Sequence, residues 1–223
     1  MKQKTAIVLG ATGLTGGKLL RKLRENKNYG KIILFSRSPS HVRDVKIEEH
    51  LINLLELENY AEEFKADEVF CCIGTTKSKT PDKQKYKAID YGIPVTAAKL
   101  CEANNISCFM VVSAMGSNPR SKIFYNRVKG KMERDVLQCN IRKTYIFKPS
   151  LIVGDREENR NGEKVASGII KFINPFLKGP LRKYKSISAE EIAGAMLYLA
   201  DDGYHTTRIE SDEIAEIAKL AGE

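Results

Sequence analysis

Short apolar runs alternate with helix-spaced apolar positions from one end of the chain to the other. Thr5–Leu9, Lys31–Phe35, Glu68–Ile73, Ser107–Val112 and Thr144–Phe147 read as buried strands, and a further strand lies within Val45–Leu54. Between them, Leu14 to about Glu25 places Leu19, Leu20 and Leu23 on one helical face, and Ser121–Leu137 does the same with Phe124, Val128, Met132 and Val136. Tyr60–Phe64 reads as a short helix. Lys83–Asn104 is helical in pattern but contains Gly92 and Pro94, so a break or kink is expected there. Ser188–Ala200 and Ser211–Leu220 are later helices, the first opening on a Ser188 cap followed by Glu190 and Glu191.

This alternation is the mark of βαβ units. Parallel crossovers are almost always right-handed, which leaves an α/β doubly wound parallel sheet, a Rossmann fold, with helices on both faces. At 223 residues and 42% hydrophobic, one domain spanning 1–223 is expected, burying roughly 70% of its unfolded surface without a metal or disulfide staple. Its substrate-side elements fall mainly in 150–190, around the polar stretch Gly154–Gly162.

The phosphate chemistry sits at the first strand–helix junction. Gly10-Ala11-Thr12-Gly13-Leu14-Thr15-Gly16 follows a strand and opens a helix. Gly10 allows the tight turn, Gly13 lets backbone approach a pyrophosphate, and Gly16 lets helix and strand pack closely. The helix N-terminus supplies free N–H groups and partial positive charge. The second strand ends in Ser36-Arg37, where NAD enzymes usually carry a carboxylate for the ribose hydroxyls. Arginine instead attracts a 2′-phosphate, so NADP(H) is expected over NAD(H).

Tyr125 and Lys129 are four residues apart on a predicted helix and share a face. Ser113 ends the fifth predicted strand, twelve residues earlier. The carboxyl ends of parallel strands are where open sheets bind ligands. Hydride transfer to a carbonyl needs a proton on its oxygen. A lysine ammonium lowers the pKa of a neighbouring phenol, while the serine holds the substrate oxygen. Tyr125, Lys129 and Ser113 are the catalytic candidates.

Charge and cysteines alter little. The 37 basic and 28 acidic residues give a net +9, spread along the chain and densest at Lys77, Lys79, Lys83, Lys85 and Lys87, a solvated face or a rim for cofactor phosphates. No nucleic-acid motif accompanies the charge, so no nucleic-acid partner is expected. Cys71, Cys72, Cys101, Cys108 and Cys139 form no C-x-x-C pair and read as small hydrophobes, and His41, His50 and His205 lack metal-ligand spacing, so no metal is expected. No apolar run approaches ~18 residues, so no membrane span is expected. The N-terminus has no secretory pattern, and a cytoplasmic protein is expected. The partner is a small-molecule substrate of unnamed identity, on a monomer or homodimer; the apolar helix Ile123–Leu137 either packs on the sheet or pairs with a second copy.

Four blocks, Val8–Gly16, Cys71–Thr76, Tyr125–Glu133 and Phe147–Glu163, together resemble the atypical NAD(P)-binding branch of the short-chain dehydrogenase/reductases, and more closely its Tat-interacting-protein-like oxidoreductases. The resemblance covers nearly the whole chain. It implies that Gly10, Thr12, Gly13, Leu14, Thr15 and Gly16 meet the pyrophosphate, Ser36 and Arg37 the adenosine phosphate, and Ile73, Gly74 and Thr75 the cofactor beyond the fourth strand. It makes Tyr125 and Lys129 the catalytic pair, sets Pro149 to Leu151 over the nicotinamide, and puts Arg156 and Arg160 in a loop near the open side. The chain departs from the pattern in three places. Ala114 stands where a second hydroxyl residue is common, with Ser117 as the alternative serine. Asn53 or Leu54 stands where an adenine-binding Asp is common. Asp90 stands where many relatives carry Asn. An NADPH-dependent reductase or dehydrogenase for a small carbonyl or alcohol follows; the alternative is a non-catalytic NADPH-binding scaffold or redox-sensing regulatory protein.

Overall fold

The computed structural model describes residues 3–154 and 179–221. Seven strands form one sheet in the order β3-β2-β1-β4-β5-β6-β9, every neighbouring pair parallel. They are β1 (Lys4–Leu9), β2 (Tyr29–Ser36), β3 (Ile47–Leu51), β4 (Glu68–Cys71), β5 (Cys108–Val112), β6 (Lys143–Lys148) and β9 (Arg208–Glu210). Two short strands, β7 (Ile152–Val153) and β8 (Ile187–Ser188), pair separately. The order reverses direction between β1 and β4, the switch point at which open α/β sheets take their ligands.

Strand alternation sorts the core into two layers. Ala6 and Val8 face helices α1 (Leu14–Glu25), α5 (Ala189–Asp202) and α6 (Ser211–Leu220), through Leu19, Leu23, Ile192, Met196, Leu199 and Ile214. Ile7, Leu9, Val69, Phe109 and Val111 face α3 (Ile93–Ala103) and α4 (Phe124–Val136), through Val95, Ala98, Met132 and Val136. Each central strand is covered on both sides, which is why it reads as a continuous apolar run. Met132 and Val136 of α4 thus belong to this chain's own core.

The expected break near Pro94 is a widening rather than a stop. Helix α2 (Lys83–Lys87) runs into a π-turn at Ala88–Gly92 and then into α3. Pro94 sits at the start of α3. A proline has no N–H for the carbonyl four residues back, so the turn spacing lengthens there. The widened turn carries Asp90 into the interior, at 1% exposure.

Other expectations shift. The short helix expected at Tyr60–Phe64 lies earlier, as a 3₁₀ segment at Leu54–Tyr60 started by the Asn53 side chain, which accepts from Leu55 N–H at 3.2 Å. The Ser188 cap forms as read: its Oγ accepts from Glu191 N–H at 3.1 Å, and the Glu191 carboxylate accepts from Ser188 N–H at 2.7 Å. Strand β9 is not legible in the sequence, because three residues carry no period. The five cysteines are free, and Cys71, Cys101 and Cys108 are buried. Among the described residues no helix is long and apolar enough to cross a membrane, and no His/Cys/Asp/Glu group could hold a metal.

Candidate active site

The β1–α1 junction is built around glycine backbone. Gly10 has φ +88°, a region that L side chains rarely adopt, and its carbonyl accepts from Gly13 N–H at 2.9 Å. A Cβ at Gly10 would stand 2.9 Å from the Cys72 carbonyl oxygen, and one at Gly16 would stand 2.1 Å from the Gly10 oxygen. Gly13 caps α1 without a side-chain bond, and the first turn contains no acid. The N–H groups of Leu14, Thr15 and Gly16 lie in that first turn, where no intrahelical acceptor exists. Thr12 and Gly13 are exposed. A cradle of this kind suits a doubly anionic linker, and any side chain at its glycines would fill it.

From this turn the chain leads directly to the predicted Tyr–Lys pair. Gly10 abuts Cys72 and Ile73, and Gly74 faces Asp90 and Lys129: a Cβ there would meet Asp90 Oδ1 at 3.6 Å and Lys129 Nζ at 3.9 Å. Lys129 is 3% exposed, its Nζ 3.1 Å from Asp90 Oδ1 and 3.2 Å from the Val112 carbonyl at the end of β5. Asp90 Oδ2 accepts from Thr75 N–H at 2.8 Å. Tyr125 opens the same helix face at 37% exposure, and its ring meets Tyr86 of α2 edge-on at 6.4 Å. Tyr86 in turn donates to the Thr75 carbonyl at 3.1 Å.

Burial pulls the Lys129 ammonium down, but Asp90 and Tyr125 outweigh it, and the amine sits above the ordinary lysine value. The phenol departs from expectation. Burial pushes Tyr125 above its ordinary value; Lys129 pulls it down while Asp90 pushes it further up, and the net direction is upward.

Ser113 is bonded within the protein. It is 3% exposed and its hydroxyl donates to Glu133 Oε1 at 2.5 Å. The alternative serine, Ser117, donates to the same oxygen. Glu133 lies one turn beyond Lys129 on α4, is 4% exposed, and has Arg208 Nε 3.5 Å from its other oxygen. Both serines therefore tie the end of β5 and the following loop to α4. A cavity of about 490 Å³ opens beside Glu133, lined also by Ser117, Asn118, Lys148 and Arg208, with no residue of the glycine turn in its wall.

The NAD(P)H-binding family model matches residues 10–150, from the first glycine of the turn to the residue after Pro149. The chain belongs to the NAD(P)H-binding family. Within it, this is an atypical short-chain dehydrogenase/reductase of the HTATIP2-like kind, with a single NAD(P)-binding Rossmann domain. It is 28% identical to Protein HTATIP2 of Rattus norvegicus over 74% of this chain and 70% of that protein. It is 30% identical to Protein FMP52-1, mitochondrial, of Scheffersomyces stipitis over 79% of this chain and 82% of that protein. The fold is similar to that of the Bordetella bronchiseptica enzyme WbmG, solved with NAD, at a TM-score of 0.69 and 11% identity, covering 99% of this chain and 77% of that one. The cytoplasmic expectation is corrected here: relatives in Scheffersomyces stipitis, Debaryomyces hansenii and Candida glabrata are named as mitochondrial proteins. The absence of a secretory pattern, on which that expectation stood, does not bear on mitochondria.

In this NAD(P)H-binding protein the residues expected at the adenosine end differ in how they are engaged. Arg37 is exposed and makes no hydrogen bond or ion pair among the described residues. Ser36 is 2% exposed, its hydroxyl 2.9 Å from the Ser38 carbonyl and 3.1 Å from Glu49. Asn53 is engaged in capping and bonds Glu56 at 2.7 Å. Pro149 is buried with its carbonyl accepting from Met115 N–H at 2.9 Å, whereas Leu151 is 54% exposed. Arg156 and Arg160 lie outside the described residues.

Glu133 closes the Tyr125–Glu133 block, and its i,i+4 spacing from Lys129 is the sequence signal for it. Gly130, between them, lets the β5–α4 loop lie against the helix. A Cβ there would stand 2.2 Å from Asn118 C and 2.3 Å from Pro119 N. Gly130→Ala is expected to cost roughly 1–3 kcal/mol through this overpacking, lowering the melting temperature by several degrees in differential scanning calorimetry. An unchanged melting temperature would show that the loop yields freely.

Proposed function

We propose that this protein is an NADPH-dependent oxidoreductase acting on a small carbonyl or alcohol, with Tyr125 as the proton-transferring group and Lys129 as its electrostatic and ribose-orienting partner. The observation that carries the reading is the unbroken contact path from the glycine turn through Cys72–Gly74 to the buried Lys129, with Tyr125 half-open one turn away. A bound nicotinamide supplies or accepts the hydride. Gly10, Thr12, Gly13, Leu14, Thr15 and Gly16 would hold the pyrophosphate. Ile73, Gly74, Thr75, Pro149 and Leu151 would line the nicotinamide half.

In the reductive direction the carbonyl carbon gains the hydride, the C=O pair moves to oxygen, and the Tyr125 O–H breaks to deliver its proton there. The phenolate left behind is reprotonated from solvent, which reaches it at its exposed edge. Ser113 and Ser117, both bonded to Glu133, hold the strand end and the following loop in place. A panel of small aldehydes and ketones, with NADPH consumption and deuterium transfer from labelled cofactor as readouts, tests the reaction class. Absence of label transfer to every member would sink it.

Preference for NADPH rests on Arg37. Its guanidinium has no partner among the described residues and stands just beyond β2, placed to take a 2′-phosphate, while Glu49 is occupied by Ser36 and by Ser40 N–H at 2.9 Å. A hydrogen bond to a charged group is worth ~1.5–3 kcal/mol, so Arg37→Ala should weaken NADPH by roughly 10–100-fold and leave NADH unchanged in calorimetry. Equal losses for the two cofactors would remove Arg37 from the discrimination.

A further inference from the structure

Asp90 from the π-turn and Lys129 from α4 are in contact within the site, and Tyr125 lies one turn before Lys129 on the same helix. The Asp90–Lys129 pair is 1% and 3% exposed, closer to full burial than any other ion pair among the described residues. Asp90 Oδ1 has no hydrogen bond of good geometry besides this 3.1 Å ion contact. Thr75 N–H holds the other carboxylate oxygen at 2.8 Å, so the carboxylate is fixed from the β4 side as well. The remaining titratable groups acting on the trio, among the described residues, are Cys71 from β4 and Tyr86 from α2, both neutral under ordinary conditions. From β5 comes only the Val112 carbonyl.

An isolated buried ammonium beside a phenol would favour the phenolate. Here that charge is already opposed at contact distance by a carboxylate that solvent does not screen. We propose that Asp90 sets the direction of proton transfer in this site: by cancelling the Lys129 charge it keeps the Tyr125 hydroxyl protonated, poised to give a proton to a carbonyl oxygen rather than to take one from an alcohol. The inference rests on the Tyr125–Lys129 reading above and adds to it a charge-balancing role for a residue that touches Lys129 and acts through it. The upward direction of the Tyr125 phenol agrees with the geometry.

The test reads the phenol directly, without turnover. The full chain, with isotope-labelled tyrosine and Tyr125→Phe to identify the resonance, is titrated by NMR with and without saturating NADPH. Wild-type Tyr125 should titrate above the ordinary tyrosine value of about 10. Asp90→Asn should lower its midpoint by roughly one to three pH units, and Asp90→Glu should restore it. A wild-type midpoint at or below the ordinary value overturns the proposal even where Asp90→Asn does not fold; so does a folded Asp90→Asn whose midpoint is unmoved. The two readings fail separately. Turnover surviving in Tyr125→Phe removes tyrosine as proton donor whatever Asp90 does, whereas an inactive Tyr125→Phe with an unmoved titration removes only the role of Asp90.

Discussion

Tyr125→Phe is expected to leave NADPH binding intact and to lower turnover of a carbonyl substrate by roughly 10²–10⁴-fold, the usual worth of a positioned proton donor. The substitution removes one oxygen from a ring that stays in place, because its edge-on contact with Tyr86 at 6.4 Å does not use the hydroxyl. The Lys129–Asp90 pair and the glycine turn do not depend on that oxygen either, so affinity should be preserved while chemistry is lost. The separation of kcat from the dissociation constant is what distinguishes a proton donor from a packing residue. Stopped-flow measurement of NADPH oxidation, alongside fluorescence titration of cofactor binding, reads both. Undiminished turnover would leave the ring as a wall of the pocket and move the proton to another group.

The sequence pattern is informative where burial imposes a period or a glycine imposes a conformation. The central strands are covered on both faces, so β1, β4 and β5 stand out as apolar runs, and α1 ends where its spacing ends. Gly10 and Gly16 were legible because only glycine fits a positive φ or a 2.1 Å approach to a carbonyl. What escaped depends on contacts between distant segments. Glu68 opens a strand as a charged residue, and the sequence does not show what covers it: it is 4% exposed because Lys4 at 2.7 Å and the Tyr29 hydroxyl close over it. Ser113 was aimed at a substrate because it ends a strand near Tyr125. Its hydrogen-bond partner within the protein, Glu133, is twenty residues away, where Gly130 lets the loop and helix come together. The rise in the Tyr125 phenol is hidden likewise: a Tyr–Lys spacing shows the cation but neither the burial that pushes the phenol up nor the carboxylate that adds to it, which the π-turn brings inward.

The two neighbouring glycines of α1 offer the sharpest separation of phosphate cradle from helix. Gly16 and Gly17 both lie in the first turns of the same helix, yet a Cβ at Gly16 would stand 2.1 Å from the Gly10 oxygen and 2.7 Å from Gly10 C, while one at Gly17 would meet only the Ala11 oxygen, at 3.4 Å. The first is an overlap with backbone that cannot rotate away, so the turn itself must move. Gly16→Ala is therefore expected to cost about 3 kcal/mol or more, at the upper end of overpacking effects, and to lower NADPH affinity by at least about a hundredfold, because a shifted turn no longer aims its N–H groups at the pyrophosphate. Gly17→Ala should do the opposite. An alanine in a helix interior is favoured over glycine by ~1 kcal/mol, the 3.4 Å contact is tolerable, and the cradle is untouched, so the melting temperature rises and the affinity holds. Calorimetric melting and NADPH titration of the two variants side by side decide the matter. If Gly16→Ala melts and binds as the parent does, the turn is pliant, and close packing of strand and helix is not what shapes the cofactor site.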